Sequence, residues 1–373
     1  MSAPRLEIDL DKIFHNARIL VERLTDRGIS VTGVTKATLG SADIAATLLR
    51  AGVSSIGDSR IENIESMRRA SVPASMTLIR SPMLSQATRV VAHADVSFNT
   101  ELNVVRKLSR AAQEATKSHG VVLMVELGDL REGIMPADLE SAVRETLRFP
   151  NIAFKGIGTN LACRSGVSPD ASKMIQLSEL AGSIEEKLGH TVDIVSGGNS
   201  ANLQWALGGE SVGRINDLRL GESILLGREP LHRQPIDGLH TNAITLTAEV
   251  IESKVKPSRP WGKIAQTAFG EKPPATDRGN ISQTILAIGQ QDTDPCGLAP
   301  PPGIEILAAS SDHLILDSGQ NSTNVGAEIT FQLNYSALVR AMTSPFVAKV
   351  VKEISAHLPE PAPRVNHRDR LRY

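Results

Sequence analysis

A lysine stands where a strand-like run of the sequence ends. The run VTGV at residues 31–34 is rich in β-branched side chains, which favour strands, and it leads directly to Lys36, with Gly40 close behind. The carboxyl end of a strand is where α/β folds keep their catalytic groups. Many lysines at strand ends are simply solvated, so Lys36 becomes informative only together with other polar residues.

Four further polar segments follow candidate strands in the same way. They are GDLREG at 128–133, GTNLACRSG at 158–166, SGGNSANL at 196–203 and LRLGE at 218–222. In a barrel of parallel strands all of these segments open at one end. The sequence therefore predicts one barrel mouth that holds them together with Lys36.

The segment SGGNSANL has the composition of an anion-binding turn. Gly197 and Gly198 let backbone amides approach an anion closely, and a helix that begins near Asn199 and Ser200 adds donors and a favourable dipole. The alternative is an ordinary turn in which Asn199 or Ser200 is the N-cap. Its position after the seventh candidate strand favours a phosphate, since barrels often bind phosphate around strands seven and eight.

Short β-rich runs alternate with helical patterns from residue 5 to about 235. LEIDL comes first and is followed by the amphipathic pattern DKIFHNARILVERLTDRG. Eight further strands with intervening helices predict an α/β fold, a (β/α)₈ barrel of the TIM type at residues 1–235. The eight candidate strands are ISVTGV, VSSIG, MTLIR, DVSFN, GVVLMVELG, IAFKGIG, TVDIVSGG and RINDLRLG.

The pattern changes near residue 236. Four β-rich runs with little helical periodicity are separated by loops rich in Pro and Gly, which predicts a mostly antiparallel β domain at 236–355. The four runs are AITLTAEVIESKV, NISQTILAIG, GIEILAASSDHLILD and EITFQLNY. The last segment, 356–373, is proline-rich and then basic, and we predict a flexible tail there.

Composition limits the classes of function. Forty basic and 41 acidic residues give a formal charge of -1, which provides no reason to expect binding to nucleic acid or to an anionic membrane. Two cysteines, Cys163 and Cys296, form neither a disulfide framework nor a zinc motif, so we expect no metal. The sequence shows no signal-peptide pattern and no apolar run of membrane length. We therefore expect a cytoplasmic protein whose partner is a small molecule.

A lysine amine and a phosphate site at one barrel mouth suit pyridoxal 5'-phosphate, which offers an aldehyde to the amine and an ester phosphate to the anchor. The chain also resembles the alanine racemase superfamily, the fold-type III enzymes that use this cofactor, and within it the ornithine-racemase-like branch. The resembling stretches run in order over roughly residues 5–350: VTK, VELGDLREGI, GIGTNLAC, SGGNSANL, LRLGESILLG, AIGQQD, SSDHLILD and NYSALVRAMTSPFV.

The resemblance implies racemisation of a free amino acid, ornithine-, lysine- or alanine-like, by removal and return of the proton at Cα. Lys36 is then the Schiff-base lysine and one acid/base catalyst, provided that its pKa is lowered. Arg219 faces the cofactor's pyridine nitrogen, and Arg131 faces its phenolic oxygen and the substrate carboxylate. The alternative for Arg219 is a salt bridge with Glu222 or Asp217.

The resemblance also implies a set of cofactor contacts. Ser200 and the backbone near Gly221 and Glu222 match the phosphate site, Tyr335 reaches that phosphate, and Asn160 takes the place of a histidine in typical alanine racemases. The full set of implied cofactor-binding residues is Lys36, Asn160, Ser196, Gly197, Gly198, Asn199, Ser200, Arg219, Gly221, Glu222 and Tyr335.

One segment departs from the family pattern. Typical alanine racemases supply a second base as a tyrosine from the partner subunit, in a segment that reads glycine, tyrosine, alanine, aspartate; residues 289–292 here read GQQD. Glutamine cannot be a base. The candidates for a replacement are Asp292, Asp312, His313 and Cys163. The resemblance implies a homodimer with shared active sites, in which the three second-domain candidates act on the partner's barrel.

Three alternatives to a racemase remain at this point. The chain could bind the cofactor without racemase turnover, it could be a fold-type III decarboxylase, although the C-E-S-x-D motif of those enzymes is missing, or the barrel could bind phosphorylated metabolites. The substrate side chain is also open: Asp292, Asp294, Asp312 or Glu222 could each accept an ammonium group.

Overall fold

The computed structural model of the chain describes residues 4–267, 269–270, 277–321 and 323–352. The predicted flexible tail at 356–373 lies outside the described residues.

The chain begins with a short strand, β1 (Arg5–Asp9), and then forms a closed barrel of eight parallel strands in chain order. All eight coincide with the predicted runs, and the predicted fold is confirmed. The barrel strands are β2 (Ser30–Val34), β3 (Ser55–Asp58), β4 (Met76–Leu78), β5 (Val96–Asn99), β6 (His119–Met124), β7 (Ile152–Gly158), β8 (Ile194–Ser196) and β9 (Asp217–Leu220).

Amphipathic helices surround the barrel because their apolar faces pack on the strands. In the first helix, Asp9 accepts a hydrogen bond from the Lys12 amide at the N-terminus, and Ile13, Ala17 and Leu20 are fully buried. The helices are α1 (Leu10–Thr25), α2 (Ala42–Arg50), α3 (Ile61–Arg69), α4 (Ala87–His93), α5 (Leu102–Glu114), α6 (Pro136–Thr146), α7 (Ala171–Leu188), α8 (Leu203–Leu207) and α9 (Glu222–Leu226).

The second domain is a mostly antiparallel sheet, as predicted, with one helix that the sequence analysis did not predict. Its elements are β10 (Ile244–Pro257), β11 (Asn280–Leu286), β12 (Leu298–Ala299), β13 (Glu305–Ala309), β14 (Leu314–Asp317), β15 (Glu328–Leu333), α10 (Tyr335–Thr343) and β16 (Ala348–Lys352). The central path of the sheet runs β12-β15-β10-β11-β14-β13.

Strand β1 belongs to this second sheet, which corrects the assignment of residues 5–9 to the barrel. It pairs antiparallel with β10, where Leu6 lies opposite Leu246, and parallel with β16. LEIDL was predicted to be a strand, and the structure places Leu6 and Ile8 on its buried face. The antiparallel and parallel partners of this strand lie more than 200 residues away in the chain. The domain division at residue 235 otherwise stays a prediction.

Buried Asn16 connects the barrel to the chain that enters β10. Its side-chain amide donates to the carbonyl oxygens of Ile224 and His240, both over 2.9 Å, and its oxygen accepts from the His240 amide over 2.7 Å.

In the part of the chain that the structure describes, no helix has the length and apolar character needed to cross a bilayer.

Candidate active site

A cavity of about 700 Å³ opens at the carboxyl ends of the barrel strands. Lysine, arginine, amide and hydroxyl side chains share its wall with a helix of the second domain. The predicted residues that line it are Lys36, Arg131, Asn160, Cys163, Asn199, Ser200, Arg219, Gly221, Glu222 and Tyr335. The predicted grouping at one mouth is therefore present in the structure.

Lys36 begins a short 3-10 turn and is separated from the end of β2 by Thr35 alone. The Thr35 hydroxyl donates to the buried Asp58 carboxylate over 2.8 Å. Gly40 packs so closely on Asn63 that a Cβ at Gly40 would lie 2.7 Å from the Cβ of Asn63. Asn63 in turn donates to Asp58 over 3.0 Å, so that the turn is fixed and Lys36 reaches into the cavity.

The Lys36 amine is open to the cavity but has lost much of its contact with bulk water. This desolvation is the largest cause that lowers its pKa from the ordinary lysine value, and the positive charges of Arg131 and Arg219 lower it further. Cys163 and Asp58 oppose the shift. A lysine with a lowered pKa has a larger fraction of neutral amine, which is the form that attacks an aldehyde or takes a proton.

Arg219 lies almost completely buried inside the barrel. Its Nη1 donates to Ser196 Oγ over 2.5 Å, and its Nη2 donates to the carbonyl oxygen of Thr159 over 2.7 Å and to Asn160 Oδ1 over 3.4 Å. The guanidinium also stands 5.0 Å from the ring centre of Phe98. Burial lowers its pKa to about 10, so Arg219 remains charged at neutral pH.

A direct salt bridge does not hold Arg219, contrary to the alternative raised from the sequence. Glu222 pairs instead with Arg233, and burial raises the pKa of the Glu222 carboxyl. Asp217 accepts a hydrogen bond from the Ser196 hydroxyl, which itself accepts from Arg219.

Arg131 brings the loop after β6 against the loop after β7. Its Nη1 donates to the Cys163 sulfur over 2.6 Å, and its other nitrogens pair with the adjacent Glu132. The thiol of Cys163 is free and exposed. Arg131 thus lies between a carboxylate and a sulfur at the cavity wall.

Buried Asp129 fixes the position of the second loop. Its carboxylate accepts from the backbone amides of Cys163 over 3.2 Å, Arg164 over 2.8 Å and Ser165 over 3.1 Å. Burial alone would raise its pKa, but these amides stabilise the anion and leave the pKa lowered. The Cys163 backbone is therefore held in one place, although it lies in a loop.

The segment SGGNSANL is a capped turn, and only its centre lines the cavity. Asn199 caps a short 3-10 helix by accepting from the Ala201 amide over 2.8 Å, as in the alternative above, and its Nδ2 donates to Asn160 Oδ1 over 3.1 Å. Ser200 Oγ accepts from the Ser223 amide over 3.2 Å at the start of α9. Ser200 thereby connects two helix starts at the cavity.

Three residues at the start of that segment stay behind the cavity wall. Ser196 is buried beside Arg219, a Cβ at Gly197 would lie 2.7 Å from Ile215, and a Cβ at Gly198 would lie 2.1 Å from Asn202 Oδ1. The close approaches that require both glycines are thus made within the protein.

Tyr335 is the first residue of α10, not the end of a strand. The Asn334 side chain ends the predicted strand EITFQLNY by accepting from the Ala337 amide over 2.9 Å, which caps the helix. Lys36 Nζ lies 5.9 Å from the Tyr335 ring centre, and burial raises the pKa of the phenol. The second domain therefore contributes directly to the cavity of its own barrel.

The second-domain candidates for a base lie away from this cavity. Asp292 is buried and accepts from the Ser344 hydroxyl over 2.9 Å. Asp312 is exposed and His313 is half-buried, and the two side chains are hydrogen-bonded to each other over 3.2 Å. Gly289 packs against the Asp312 backbone, so that the two predicted segments adjoin, but outside the cavity of the same chain.

Several residues at the site were missed by sequence reasoning. Arg80, Glu132 and Arg233 line the cavity, and Asp129 and Asp217 support it from behind. Asp129 and Glu132 lie inside the quoted GDLREG segment, so their position was a usable signal. No local pattern distinguishes Arg80 or Arg233 from other surface arginines.

Comparison with known proteins gives the family. The model of the family "Alanine racemase, N-terminal domain" matches residues 8–229, which is more than half of the chain. The chain belongs to the alanine racemase family. A lysine racemase of Thermotoga maritima is 41% identical over 352 residues, covering 94% of this chain and 99% of that one. An ornithine racemase of Acetoanaerobium sticklandii is 39% identical over 350 residues, covering 93% and 99%.

The same architecture occurs in solved structures. The alanine racemase of a D-cycloserine-producing Streptomyces lavendulae matches with a TM-score of 0.74 at 17% identity, over 96% of this chain and 99% of that chain. At such identity the match shows the fold alone. The predictions of the family, of the fold and of an isomerase-class enzyme are thereby confirmed.

The electrostatics of Lys36 in this alanine racemase family member lead to a prediction. Arg131→Gln removes a positive charge near the amine, and we expect the pKa of Lys36 to rise, since a like charge favours the neutral amine. Competitive acetylation across a pH series, quantified by mass spectrometry on the cofactor-free protein, measures this pKa. Arg110→Gln, an exposed change on α5, is the control and should leave it in place. Equal pKa values in wild type and Arg131→Gln would contradict the assignment.

Proposed function

We propose that this chain binds pyridoxal 5'-phosphate in the mouth cavity and racemises a free amino acid with a basic side chain, lysine- or ornithine-like. The observation that carries the proposal is the Lys36 amine with its lowered pKa, held in one cavity with Arg219, Ser200 and Tyr335. The substrate class rests on the two relatives that match nearly the full length of the chain.

The residues present fit the cofactor. Asn160 lines the cavity, and its buried Nδ2 has no hydrogen-bond partner among the described residues, so a polar donor is available there. α9 begins at Glu222 after Gly221 without a side-chain cap, which leaves its start, together with the Ser200 hydroxyl, suited to an anion.

The residues that line the cavity would each hold a different part of the cofactor or of the substrate. Lys36 would hold the aldehyde carbon, Ser200 with the backbone at Gly221 and the Tyr335 hydroxyl would hold the phosphate, and Arg131 would hold the phenolic oxygen or the substrate carboxylate. When bound, the cofactor supplies a conjugated ring that withdraws electrons from the Cα–H bond of the substrate.

Arg219 would donate to the ring nitrogen. Its Nη1 and Nη2 are taken by Ser196 and Thr159, whereas Nε makes none of these bonds. A guanidinium with a pKa of about 10 keeps its proton at neutral pH, so Arg219 would hold the ring nitrogen by a hydrogen bond without protonating it. The cofactor would then withdraw electrons less strongly, which would favour prompt return of the proton to Cα.

The charges of the cavity suit a ligand with two anionic groups. Lys36, Arg80, Arg131, Arg219 and Arg233 line it. The lining carboxylates, Glu132 and Glu222, are each paired with an arginine. A phosphate and a substrate carboxylate would match this excess, and a basic side chain would have to share Glu132 or Glu222 or meet a carboxylate of a partner chain.

The function is tested on the purified chain with added cofactor. We expect L-lysine or L-ornithine to lose optical activity without release of carbon dioxide, with L-alanine and L-serine as comparison substrates. Borohydride should fix the cofactor on Lys36, and Lys36→Ala should abolish both the adduct and turnover of both enantiomers, because anchor and base go together. Release of carbon dioxide would indicate a decarboxylase, and an adduct without turnover would indicate a binding protein.

The second proton-transfer group in this proposal is Cys163. Of the four candidates, it is the one that lines the cavity of its own chain, as far as the described residues show. The loop that carries it follows β7, and β7 is three strands from β2 around the closed barrel, so Cys163 and Lys36 approach the ligand from different sides of the mouth. Arg131 donates to the sulfur over 2.6 Å, which holds the Cys163 side chain at the cavity wall.

The proton balance of this scheme is simple. As Lys36 takes the proton from Cα and becomes an ammonium, the Cys163 thiol gives its proton to the opposite side of Cα and becomes a thiolate. The reverse direction exchanges the roles, and exchange with solvent restores the starting state.

Removal of the thiol separates the two half-steps. Cys163→Ala should lower racemisation by about 10² to 10⁴ while the protein still exchanges the Cα hydrogen of one enantiomer with deuterium from solvent, since Lys36 remains. Cys296→Ala, which removes the other free and exposed thiol, is the matched control and should keep full activity. Near-full racemisation by Cys163→Ala would instead point to Asp312 or His313 acting from a partner chain.

The proposal includes a homodimer. Large apolar side chains on the loops that follow β2, β4 and β6 are exposed at the mouth of a single chain, which is typical of a surface that another chain covers. They are Leu39, Met83, Leu84, Leu130 and Met135.

Both cysteines are free thiols, which is compatible with the cytoplasm; that location stays a prediction.

Sedimentation velocity at micromolar concentration tests the assembly. We expect the mass of a dimer. Leu130→Glu should shift the population toward single chains and lower the activity, because a charge among the exposed apolar residues of the mouth cannot be buried without cost. Glu114→Gln on α5, an exposed change away from these residues, is the control. A fully active single chain would contradict shared active sites.

A further inference from the structure

The barrel interior holds a buried carboxylate to which the proposed function gives no role. Asp217 stands at the start of β9, two residues before Arg219, so both side chains point into the barrel from the same face of one strand. Residues two apart on a strand are about 6.6 Å apart along it. A direct ion pair between Asp217 and Arg219 is not made.

A hydroxyl from the neighbouring strand bridges the gap. Ser196 on β8 lies opposite Asp217 in the strand register. Its Oγ accepts from Arg219 Nη1 over 2.5 Å and donates to Asp217 Oδ2. On the other side, Thr32 on β2 donates to Asp217 Oδ1 over 2.7 Å. Both oxygens of Asp217 therefore act as acceptors. Burial raises the pKa of the Asp217 carboxyl, and the two hydrogen bonds together with the charge of Arg219 oppose that shift.

From these contacts we propose that Asp217 is a positioning residue that keeps Arg219 charged and fixed in the barrel through the Ser196 hydroxyl. A buried guanidinium is costly unless an opposite charge compensates it. Arg219 is buried, and the positive Arg131 nearby disfavours its charge, whereas Asp217 is the largest influence that favours it. Ser196 also occupies Nη1, and Thr159 occupies Nη2, so that Nε would be the nitrogen to meet the ring nitrogen.

The role of Asp217 toward the cofactor rests on the proposed function, but its coupling to Arg219 does not. A double-mutant cycle on cofactor-free protein therefore tests the coupling by itself. Asp217→Asn leaves Arg219 uncompensated, and Arg219→Gln leaves Asp217 uncompensated, whereas the double variant leaves neither charge unpaired. Each single variant should raise the equilibrium constant for unfolding. If the two changes were independent, the double variant would raise it by the product of the two factors. We expect an unfolding constant at least tenfold smaller than that product gives.

Two further variants sharpen the cycle. Arg214, three residues before Asp217, pairs with Glu185, so Arg214→Gln combined with Asp217→Asn should be additive. Ser196→Ala keeps both charges and removes the bridge, and it should reduce the coupling between Asp217 and Arg219. If Asp217→Asn alone does not fold, recovery of folding in the double variant reports the same coupling; failure of both would overturn the proposal, as would additivity.

A spectroscopic titration tests the role at the cofactor. Loss of the negative charge of Asp217 would make the electrostatic potential around Lys36 and the bound cofactor more positive. The midpoint pH of the change in visible absorption should therefore be lower in cofactor-loaded Asp217→Asn than in cofactor-loaded wild type. Thr32→Val keeps the charge and should titrate as wild type does. A merely structural role would reduce the amount of bound cofactor without moving this pH.

Failure of the proposed function and failure of the role proposed for Asp217 would give different results. If wild type binds no pyridoxal phosphate, the proposed function is wrong, and the unfolding cycle still decides whether Asp217 and Arg219 are coupled. If wild type binds the cofactor and Asp217→Asn titrates at the same pH, the role of Asp217 toward the cofactor is wrong.

Discussion

Closure of eight parallel strands is the constraint on which the rest of the structure depends. Because every strand runs in the same direction, every loop that follows a strand emerges at the same end of the barrel. Lys36 follows β2, Arg131 follows β6 and Cys163 follows β7, although they are spread over more than 120 residues. No single loop has to contain the site, so each side chain can be fixed by its own strand and its own local contacts.

Desolvation first, and then the positive charges gathered at the same mouth, explain why the pKa of Lys36 is lowered. Arg131, Arg219 and Arg233 each have a carboxylate within reach, directly or through the Ser196 hydroxyl. Among the described residues, Lys36 has no carboxylate at ion-pair distance. An arginine holds its proton under almost any condition, whereas a lysine can lose one. The repulsion within the cluster is therefore relieved at Lys36, which is where a neutral amine is chemically useful.

The sequence predicted the parts of the molecule whose signals are local. Strand periodicity identified all eight barrel strands, and polar residues at strand ends identified Lys36, Arg131 and Ser200. Partners that lie far apart in the chain were not predictable: LEIDL reads as a strand anywhere, and its place beside β10 and β16 depends on pairing over more than 200 residues. Asp217 could be considered only as a direct ion-pair partner of Arg219, because the bridging Ser196 lies on a different strand. Tyr335 was assigned to the cavity by resemblance, while the Asn334 cap that begins its helix was overlooked.

The segment GQQD at residues 289–292 is constrained by its packing within the second domain. Gly289 is required because the backbone of Ser311 and Asp312 leaves no room for a Cβ, and Asp292 is occupied by the Ser344 hydroxyl. These contacts pack the segment within the second domain, and Gln290 offers no ionisable group there. In the proposed function, the second proton donor would have to be held as firmly as a strand-end residue, and few loop residues are. Cys163 satisfies this condition because three consecutive amides, its own and the next two, bind the single carboxylate of Asp129. In the proposed function, this fixed backbone would hold the Cys163 thiol at the mouth, and the thiol would carry the proton.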